Sequence, residues 1–335
     1  MNLGERLIIA EIGMTHDGSL GQALEMTKAA AEAGVDAVKY QLHISEAETI
    51  RNAPQPPYFK AEPRYEFFKR TAFNREQWRQ VRDKCKELGV KFIVSPFSIE
   101  AVKILEAIGV DAIKLPSGEI TNIPYLEYIA RTGLPVIISS GMSSWNELCE
   151  CVDLFQGKNC HIAIMQCTSE YPCPPEAVGL NVIDQIKEKY PNVPVGLSDH
   201  SQGVWAAVAA WMKGATLIEK HFTLSRKMYG PDAKMSMEPD EMKLLCESIK
   251  NLELALANPV DKTQAEKFEE MKKIFQKSIV AVCDIKKGTV ITADMIGYKK
   301  PGIGLETKYY KKILGKKVKR DFSIDDIIYK GDIEW

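Results

Sequence analysis

Short apolar runs alternate with amphipathic stretches over the first 257 residues of the chain. The apolar runs, rich in β-branched residues, predict eight strands, at residues 7–13, 36–41, 91–96, 111–115, 135–140, 161–167, 194–198 and 216–221. A stretch with helical periodicity follows each strand, as at residues 20–33 and 76–88. Near-continuous apolar strands with helices between them are typical of a parallel sheet. Eight such units in about 250 residues fit a closed (β/α)8 barrel better than an open sheet.

Glycine stands at five junctions between a predicted helix and the strand that follows it. The segments are "EAGVDAVKY", "ELGVKFIVS", "AIGVDAIKL", "RTGLPVIIS" and "MKGATLIEK". In each of them the glycine comes just past the helix, where the backbone often turns left-handed and glycine does so at the least cost. The glycines therefore support the predicted order of helices and strands.

Polar residues stand at the carboxyl end of every predicted strand, which in a (β/α)8 barrel is the face that carries the active site. In strand order they are Glu11, His16 and Asp17; Lys39 and Gln41; Ser95; Lys114, Ser117 and Glu119; Ser139; Thr168, Ser169 and Tyr171; Ser198, Asp199 and His200; and Glu219, Lys220 and His221. One such residue is more often a solvated strand end or a helix cap. Polar residues at all eight ends indicate a shared binding site.

Two lysines, Lys39 and Lys114, interrupt apolar strands. An unpaired ammonium is costly to bury, so each lysine is expected to meet a fixed anion in the barrel mouth. A phosphate or carboxylate ligand would supply that anion, helped by the flanking serines and by backbone N–H groups after "PSGE" and "SSGM". The alternative is an internal ion pair, such as Lys39 with Glu11.

Two histidines, His200 and His221, end consecutive predicted strands, which places their imidazoles side by side at the rim. A pair of histidines leaves most coordination positions open to water and substrate. Nearby carboxylates favour Mn²⁺ or Mg²⁺ over a closed zinc site. Two histidines about twenty residues apart are otherwise often unrelated, so the metal site depends on the barrel register.

Composition and charge narrow the class of protein. The 335 residues include 44 Lys and Arg and 45 Asp and Glu, a formal net charge of −1 that predicts neither a nucleic-acid partner nor an anionic membrane surface. No apolar run approaches the roughly 18 residues of a membrane helix and the start lacks a secretory signal, so we expect a soluble cytoplasmic protein. The eight cysteines form no CxxC pair and are expected to be reduced. Cys149, Cys151 and Cys160 are a less favoured metal site, because no matched second pair accompanies them.

The composition changes after residue 257. Residues 258–278 are charged and rich in Lys and Glu, and we predict a linker with helical character. Residues 279–335 carry short strand patterns with Lys-Gly and Pro-Gly turns. A β-rich domain of about sixty residues is marginal by itself, so we expect it to dock on a barrel, either its own or a partner's. The predicted domains are therefore a barrel at 1–257, a linker at 258–278 and a small domain at 279–335.

Taken together, these motifs resemble the sialic acid synthases, the phosphoenolpyruvate-dependent enzymes that make N-acetylneuraminate and its bacterial relatives legionaminate and pseudaminate. The barrel motifs that follow the family's order are "AEIGMTHDG", "DAVKYQ", "FIVSPFS", "IKLPSGE", "ISSGM", "CTSEYPCPP", "GLSDHS", "IEKHF" and "GPDAKMS". The tail is similar to the family's antifreeze-like SAF domain in "DIKKGTVITADMI" and "KPGIG". The resemblance spans essentially the whole chain and implies a TIM barrel followed by a small β-rich SAF domain.

The resemblance implies a transferase that forms a C–C bond: it condenses phosphoenolpyruvate with an N-acetylmannosamine-type sugar to a nine-carbon 2-keto sugar acid and phosphate. Phosphoenolpyruvate is expected on Lys39, Gln41, Ser95, Lys114, Ser117, Ser139 and Ser198. The sugar is expected on Ser169, Tyr171 and Asp232, and a divalent metal on His200 and His221, with Mn²⁺ first and Mg²⁺ or Co²⁺ as alternatives. Glu11, Glu119 and Glu219 are the expected catalytic carboxylates, with Glu119 the first choice for orienting a water.

The same resemblance implies a domain-swapped homodimer, in which each SAF domain covers the partner's barrel mouth and offers a basic residue to the N-acetyl group of the sugar. That position, usually an arginine, is Lys300 here, and lysine lacks the planar fork of a guanidinium. The segment "MTHDG", Ser169 and a Pro-rich stretch at residues 52–74, interpreted as a loop, also depart from the family pattern. All of these departures lie on the sugar side, so the sequence predicts the donor better than the acceptor.

Two other functions remain open. Enzymes that make 3-deoxy-octulosonate or heptulosonate phosphates also condense phosphoenolpyruvate with a sugar on a barrel, but they leave the SAF tail unexplained. A non-catalytic sugar-binding barrel would have no need of a metal site beside a phosphate cradle. Within the sialic acid synthases, the motifs do not choose among N-acetylmannosamine, its 6-phosphate and a 2,4-diacetamido-trideoxy hexose as the acceptor.

Overall fold

A computed structural model describes residues 1–55 and 61–335 of the chain, which divides into two compact units, 1–257 and 258–335. The strands of the first unit are β1 (Leu7–Gly13), β2 (Ala37–Leu42), β3 (Lys91–Pro96), β4 (Ala112–Leu115), β5 (Val136–Ser139), β6 (Ile162–Cys167), β7 (Val195–Asp199) and β8 (Leu217–His221). They are parallel, follow one another around the sheet in chain order, and close into a barrel where β8 pairs with β1. Every observed strand ends within one residue of its prediction, and the predicted (β/α)8 barrel is confirmed.

Ten helices accompany these strands in the described part of the first unit. They are α1 (Leu20–Glu32), α2 (Ser45–Glu48), α3 (Arg64–Thr71), α4 (Arg75–Leu88), α5 (Ile99–Ile108), α6 (Ile123–Arg131), α7 (Trp145–Gln156), α8 (Leu180–Lys189), α9 (Trp205–Met212) and α10 (Pro239–Ala257). Local signals fix their ends, as α4 illustrates. Asn74 and Gln77 form a reciprocal capping box at its start, and Gly89 ends it with a φ of 73°. The glycines at the other four predicted junctions also have positive φ.

The Pro-rich stretch at residues 52–74, interpreted from the sequence as a loop, contains helix α3. Tyr65 and Phe67 on this helix are buried. The loop interpretation was therefore wrong for the residues of α3, because the surrounding prolines hid a helix of only two turns. Residues 56–60 of the same stretch lie outside the described part of the chain.

Strand alternation decides which side chains face the helices and which face the barrel interior. On β1, Ile8 and Ile12 join the apolar layer between strands and helices, whereas Ile9 joins a separate interior cluster. That interior cluster is small and apolar, and contains Leu3, Leu7, Ile9, Ala37, Ile93, Ala112, Ile137, Ala163, Met165 and Leu217. Two residues beyond Ile9, Glu11 continues the inward face, and the register places it beside Lys39 of β2. Charged residues thus cover the carboxyl end of an apolar interior.

The second unit has little regular secondary structure but has an apolar core of its own. Its elements are α11 (Glu269–Phe275), β9 (Ser278–Ala281), β10 (Ile296–Lys299) and α12 (Tyr310–Ile313), and β9 pairs with β10 in antiparallel fashion. Isolated bridges such as Ile285 with Phe322 add further cross-chain pairing. The core contains Ile279, Ala281, Ile285, Ile291, Ile296, Leu305, Ile313, Val318, Phe322, Ile328 and Ile333. Helix α11 lies within the segment predicted as a linker with helical character.

All eight cysteines are free thiols. Within residues 1–55 and 61–335, no three His, Cys, Asp or Glu side chains are grouped as a metal site, so Cys149, Cys151 and Cys160 do not form the one considered above. No helix in those same ranges is both long and apolar enough to span a membrane.

His16 is a core residue, although its position after β1 suggested a place at the active rim. Its side chain is buried, with its ring centroid 4.5 Å from that of Phe73. Its Nδ1 accepts a hydrogen bond of 3.1 Å from the N–H of Gly18. Burial, with a smaller effect from His43, lowers the pKa of His16 to about 3. The imidazole is therefore neutral in the folded chain over the ordinary range of pH.

The stability of the fold is expected to fall on acidification because His16 must stay neutral. An imidazole in the unfolded chain takes up a proton below about pH 6.5, whereas folded His16 does so only near its lowered pKa of about 3. This contribution is complete above about pH 6.5 and is lost as the pH falls toward 3. On acidification from about pH 6 to pH 4, the free energy of unfolding of a His16→Gln variant is expected to fall less steeply than that of the wild type, by about 1.4 kcal/mol per pH unit.

Urea unfolding at several pH values measures this difference in slope. His161→Gln, a change at an exposed position, is the matched control and is expected to keep the wild-type slope. Equal slopes for His16→Gln and the wild type would contradict the assignment of this acid sensitivity to His16.

Candidate functional site

A cavity of about 760 Å³ opens at the carboxyl ends of the barrel strands. It is lined by every site residue predicted in the first unit, namely Glu11, Lys39, Gln41, Ser95, Lys114, Ser117, Glu119, Ser139, Ser169, Tyr171, Ser198, His200, Glu219, His221 and Asp232. Lys300, the remaining predicted residue, belongs to the second unit, where its Nζ lies 5.1 Å from the ring centroid of Phe275. The barrel therefore brings polar and charged residues from all eight strands together in one cavity.

Some polar residues at the strand ends face away from this cavity. Asp199 and Lys220 alternate with the inward residues of β7 and β8, and they form a buried ion pair of 3.0 Å with each other. Asp17 pairs with Arg70 at 2.8 Å. The hydroxyl of Thr168 donates to the carbonyl of Ala177 at 2.7 Å. These residues are structural, and their expected place at the rim was wrong.

Glu219 lies between two buried ammonium groups at the base of the cavity. Its carboxylate oxygens are 3.0 Å from Nζ of Lys39 and 3.1 Å from Nζ of Lys114. The hydroxyl of Ser198 donates to the same carboxylate at 2.9 Å. The internal ion pairing considered from the sequence is thus present, and Glu219 is its main anion. The cluster joins strands β2, β4, β7 and β8 across the barrel.

The charges of this cluster perturb one another. Burial acts to raise the pKa of Glu219, but Lys114 and Lys39 outweigh it and hold that pKa well below its usual range. Burial acts to lower the pKa of Lys39, but Glu11 and Glu219 together raise it above the ordinary value. For Lys114, burial exceeds the effect of Glu219, and its pKa is lowered. Lys39 is therefore the firmly charged member of the pair.

Glu11 has the properties of a proton-transfer group. Burial raises its pKa to about 7, against the opposing effect of Lys39, whose Nζ is 3.3 Å from Glu11 Oε2. The other oxygen, Oε1, accepts a hydrogen bond of 2.8 Å from Nε2 of Gln41. A carboxyl group that titrates near neutral pH can both give and take a proton at low cost. Glu11 thus fits the acid and base role that the resemblance implies.

Glu119 lies in a short 3-10 helix, Ser117–Glu119, directly after β4. Its side chain is partly buried, which raises its pKa, although a hydrogen bond of 2.8 Å from Asn122 opposes the rise. Helices α6 and α7 start after "PSGE" and "SSGM", as expected, at Ile123 and Trp145.

Gly141 allows two serines from different loops to approach each other. A Cβ atom at this position would overlap Oγ of Ser117 and lie only 2.5 Å from Oγ of Ser169. Ser117 follows β4 and Ser169 follows β6, whereas Gly141 follows β5. The missing side chain at residue 141 therefore sets the spacing of hydroxyl groups from two neighbouring loops.

Gly13 plays the same part on the opposite wall of the cavity. A Cβ atom there would lie only 2.8 Å from Oδ2 of Asp232. It would be at ordinary contact distance from Oε1 of Glu11, at 3.4 Å, and from Nε2 of Gln41, at 3.5 Å. The φ of Gly13 is +52°, which few other residues adopt. Asp232 accepts a hydrogen bond of 3.2 Å from the N–H of Met14, and burial raises its pKa. Three polar groups thus converge on one glycine.

His200 and His221 lie side by side at the rim, with ring centroids 5.4 Å apart. His200 donates from Nδ1 to the carbonyl of Thr168 at 2.8 Å. Burial acts to lower the pKa of His200, but Cys167 outweighs burial and the pKa is raised. Nδ1 of His221 is buried and has no hydrogen-bond partner in the described chain, and burial lowers the pKa of this imidazole far below its ordinary value. Tyr171 packs against His200 at 4.2 Å between centroids.

These two imidazoles fit a divalent metal. Burial keeps the His221 imidazole neutral, with a lone pair for a metal, and the carbonyl that accepts from His200 is the outer partner that metal-binding histidines commonly have. No third His, Cys, Asp or Glu completes a three-residue cluster with them in the described ranges. A metal here would therefore keep most of its positions for water and substrate.

Several residues of the cavity wall were not predicted from the sequence. They are His43, Glu48, Arg64, Phe68 and Phe97. His43 could have been found, since it continues the alternation of Lys39 and Gln41 past the end of β2. Arg64 and Phe68 lie on α3, which the sequence had not predicted. The sequence around Arg64 and Phe68 contains no local pattern that places them in the cavity wall.

Known proteins with a similar sequence or structure show which family this chain belongs to. Residues 26–261 match the model of the NeuB family, and residues 276–334 match that of the SAF domain. A sialic acid synthetase from Leptospira borgpetersenii, solved in complex with citrate, has a TM-score of 0.70 and 31% identity, covering 81% of this chain and 91% of that one. Fold and site thus define a barrel of the sugar-acid synthase class. The chain belongs to the NeuB family.

Two relatives of known activity extend this comparison. The N,N'-diacetyllegionaminic acid synthase of Campylobacter jejuni is 34% identical, covering 96% of this chain and 98% of its own. The human N-acetylneuraminate-9-phosphate synthase is also 34% identical, covering 96% and 90%. The predicted resemblance to the sialic acid synthases, including the SAF tail, is confirmed. The relatives differ in their sugar products.

Proposed function

We propose that this chain condenses phosphoenolpyruvate with an N-acetylmannosamine-type sugar, giving a nine-carbon 2-keto sugar acid and inorganic phosphate. The observation that carries the proposal is the cavity of about 760 Å³ in which Lys39 and Lys114 share Glu219 at the base and His200 and His221 form a pair at the rim. One end of such a cavity suits an anionic donor and the other a metal-assisted carbonyl. The relatives described above are synthases of this class of product.

The donor is proposed to bind at the base of the cavity. Lys39 and Lys114 would hold its phosphate and carboxylate, and a ligand anion would share the ammonium groups that Glu219 now holds. The hydroxyls of Ser95, Ser117, Ser139 and Ser198, together with Gln41, line the same cavity. In the reaction, C3 of phosphoenolpyruvate attacks the sugar aldehyde, water adds at C2, and cleavage of the C–O bond releases phosphate.

The acceptor is proposed to bind toward the rim, against Ser169, Tyr171 and Asp232. A divalent cation, with Mn²⁺ first and Mg²⁺ or Co²⁺ as alternatives, would be held by His200 and His221 and would polarise the aldehyde oxygen.

The three carboxylates of the cavity wall are proposed to have different roles. Glu11, with its pKa of about 7, would give a proton to the oxygen that forms at the former aldehyde. Glu119 would orient the water that adds at C2, and Glu219 would keep the lysines in place.

The remaining parts of the proposal concern the oligomeric state and the cellular location. We propose a domain-swapped homodimer in which the SAF domain of one chain covers the barrel of the other and Lys300 approaches the acyl group of the sugar. The resemblance to the family supports this arrangement. A cytoplasmic location is proposed on the composition of the chain.

Phosphate release from phosphoenolpyruvate with Mn²⁺ tests the reaction. The acceptors to compare are N-acetylmannosamine, its 6-phosphate and a 2,4-diacetamido-trideoxy hexose. Release with one of them identifies the acceptor, and His221→Ala is expected to reduce that release by at least about 100-fold. His161→Ala, an exposed histidine at the opposite end of β6, is the matched control and is expected to keep wild-type activity. No release with any acceptor by the metal-loaded wild type would refute the proposal.

A further inference from the structure

His43, just past the end of β2, is enclosed on all sides yet has no part in the proposed chemistry. Its imidazole is stacked between two phenyl rings, with centroids 3.6 Å from Phe68 and 4.1 Å from Phe97. Both ring nitrogens meet oxygen atoms. Nδ1 is 2.8 Å from Oε1 of Glu48, and Nε2 is 3.2 Å from Oε1 of Gln41. Four neighbours thus fix the plane and the rotation of this ring.

The contacts of His43 continue to the catalytic carboxylates. Gln41 donates from Nε2 to Oε1 of Glu11 at 2.8 Å, so its own oxygen is turned toward His43. An amide oxygen and a carboxylate oxygen can each only accept a hydrogen bond. Both contacts are hydrogen bonds only when both nitrogens of His43 donate, which requires the doubly protonated imidazolium.

The surroundings of His43 suit a cation. The side chain of Glu48 is only 5% exposed, and its second oxygen accepts from the N–H of Ile44 at 3.3 Å. Each phenyl ring presents its negative face to the imidazole. Of the other titratable groups near it, Asp232 is acidic and favours the cation. Arg64, whose guanidinium carbon lies 5.3 Å from the ring centroid of Phe68, opposes it, and His16 is neutral.

We propose that His43 is a positioning residue, an imidazolium held by Glu48 and two phenyl rings, which fixes the amide of Gln41 and through it the carboxylate of Glu11. The protonation and the orientation stand on geometry alone, whereas the consequence for catalysis rests on the proposed function. Gln41 is proposed above as a contact of phosphoenolpyruvate. Loss of His43 therefore weakens the use of phosphoenolpyruvate more than the use of the sugar.

Nitrogen NMR of the full-length protein labelled with ¹⁵N-histidine tests the proposal directly. The spectra are recorded at about pH 7.5, where an exposed imidazole, with its ordinary pKa of about 6.5, is mostly neutral. The signals of His43 are those that disappear in His43→Gln. They are expected to have the imidazolium pattern in the wild type and the neutral pattern in Glu48→Gln. A neutral pattern in the wild type, or the same pattern in both proteins, would overturn the proposal.

Helix α2 offers a matched control for Glu48. Glu46 lies on the same short helix but is exposed and pairs with Lys69 at the surface. Glu46→Gln is expected to leave the His43 signals unchanged, because it removes a similar charge without removing the partner of the imidazole. A neutral His43 in Glu46→Gln would show that general charge, and not the Glu48 contact, sets its protonation, and would overturn the proposal.

Steady-state kinetics give the second measurement. His43→Gln is expected to raise the KM of phosphoenolpyruvate, the substrate that Gln41 is proposed to contact, about tenfold while the KM of the acceptor sugar stays within about twofold. Equal increases in both values would indicate a general disturbance of the fold and would overturn the positioning role. A wild type without activity on any acceptor would refute the proposed reaction, while the NMR result would still decide the state of His43.

Discussion

A Glu219→Gln variant is expected to lose about 3 to 5 kcal/mol of its free energy of unfolding, together with all measurable phosphate release. Glu219 contacts Lys39 at 3.0 Å and Lys114 at 3.1 Å, and all three side chains are buried. The neutral amide leaves Lys114 without its ion-pair partner in the described structure. A buried charge without compensation is far more costly than a missing pair of charges. Chemical denaturation at neutral pH measures the loss.

Two further variants separate the ion pair from the general effect of substitution. Glu253→Gln removes a carboxylate that pairs with Arg6 where both side chains are about one-third exposed, and it is expected to cost less than about 1 kcal/mol. Adding Lys114→Met to Glu219→Gln removes the unpaired charge and is expected to recover part of the lost stability without restoring activity. A Glu219→Gln variant as stable as the wild type would contradict the role assigned to Glu219.

Gly141→Ala is expected to reduce kcat/KM for phosphoenolpyruvate by about 100-fold while the fold stays intact. The added methyl group would overlap Ser117 and crowd Ser169, so at least one of these two hydroxyls must move. Displacement of a substrate contact by about 1 Å is enough for a loss of this size. The backbone of Gly141 has no positive φ, so alanine fits its conformation and the melting temperature is expected to change little.

Gly118→Ala is the control for this second experiment. Gly118 follows Ser117 directly, but among residues 1–55 and 61–335, its two chain neighbours aside, the only heavy atom within 4 Å of its Cβ position is Cε of Met142, at an ordinary contact distance of 3.6 Å. The same chemical change one residue from Ser117 is therefore expected to leave kcat/KM within about threefold of the wild type. Similar losses for both variants would mean that the loop tolerates no alanine, and that the spacing of Ser117 and Ser169 is not the cause.

The barrel and the position of its site followed from local signals in the sequence. Each barrel strand is an apolar run of the right length, and two of them carry a lysine, Lys39 or Lys114, that an apolar strand would not otherwise carry. Strict alternation also decides that Glu219 faces the cavity while Lys220 does not. That distinction was available from the sequence once the barrel had been predicted.

The partners within the site were not predictable in the same way. Lys114 and Glu219 come from different strands, and their distance depends on the closure of the whole barrel. The clamp on His43 depends on Phe68 of α3, a helix hidden among prolines. Gly141 is one of 22 glycines, and its sequence gives no sign that two serines approach it from other loops. Such contacts arise only from the tertiary structure.

Closure of the barrel also determines when during synthesis the site comes into existence. The register of β1 with β8 places Glu11 directly beside His221, so the first strand of the barrel meets its last. A nascent chain that has not yet exposed β8 has neither Glu219 nor His221, and its two buried lysines lack their shared anion. At about 5 to 20 residues per second, the ribosome delivers these residues only after the other seven strands. The proposed site is thus incomplete in the growing chain until β8 has been made.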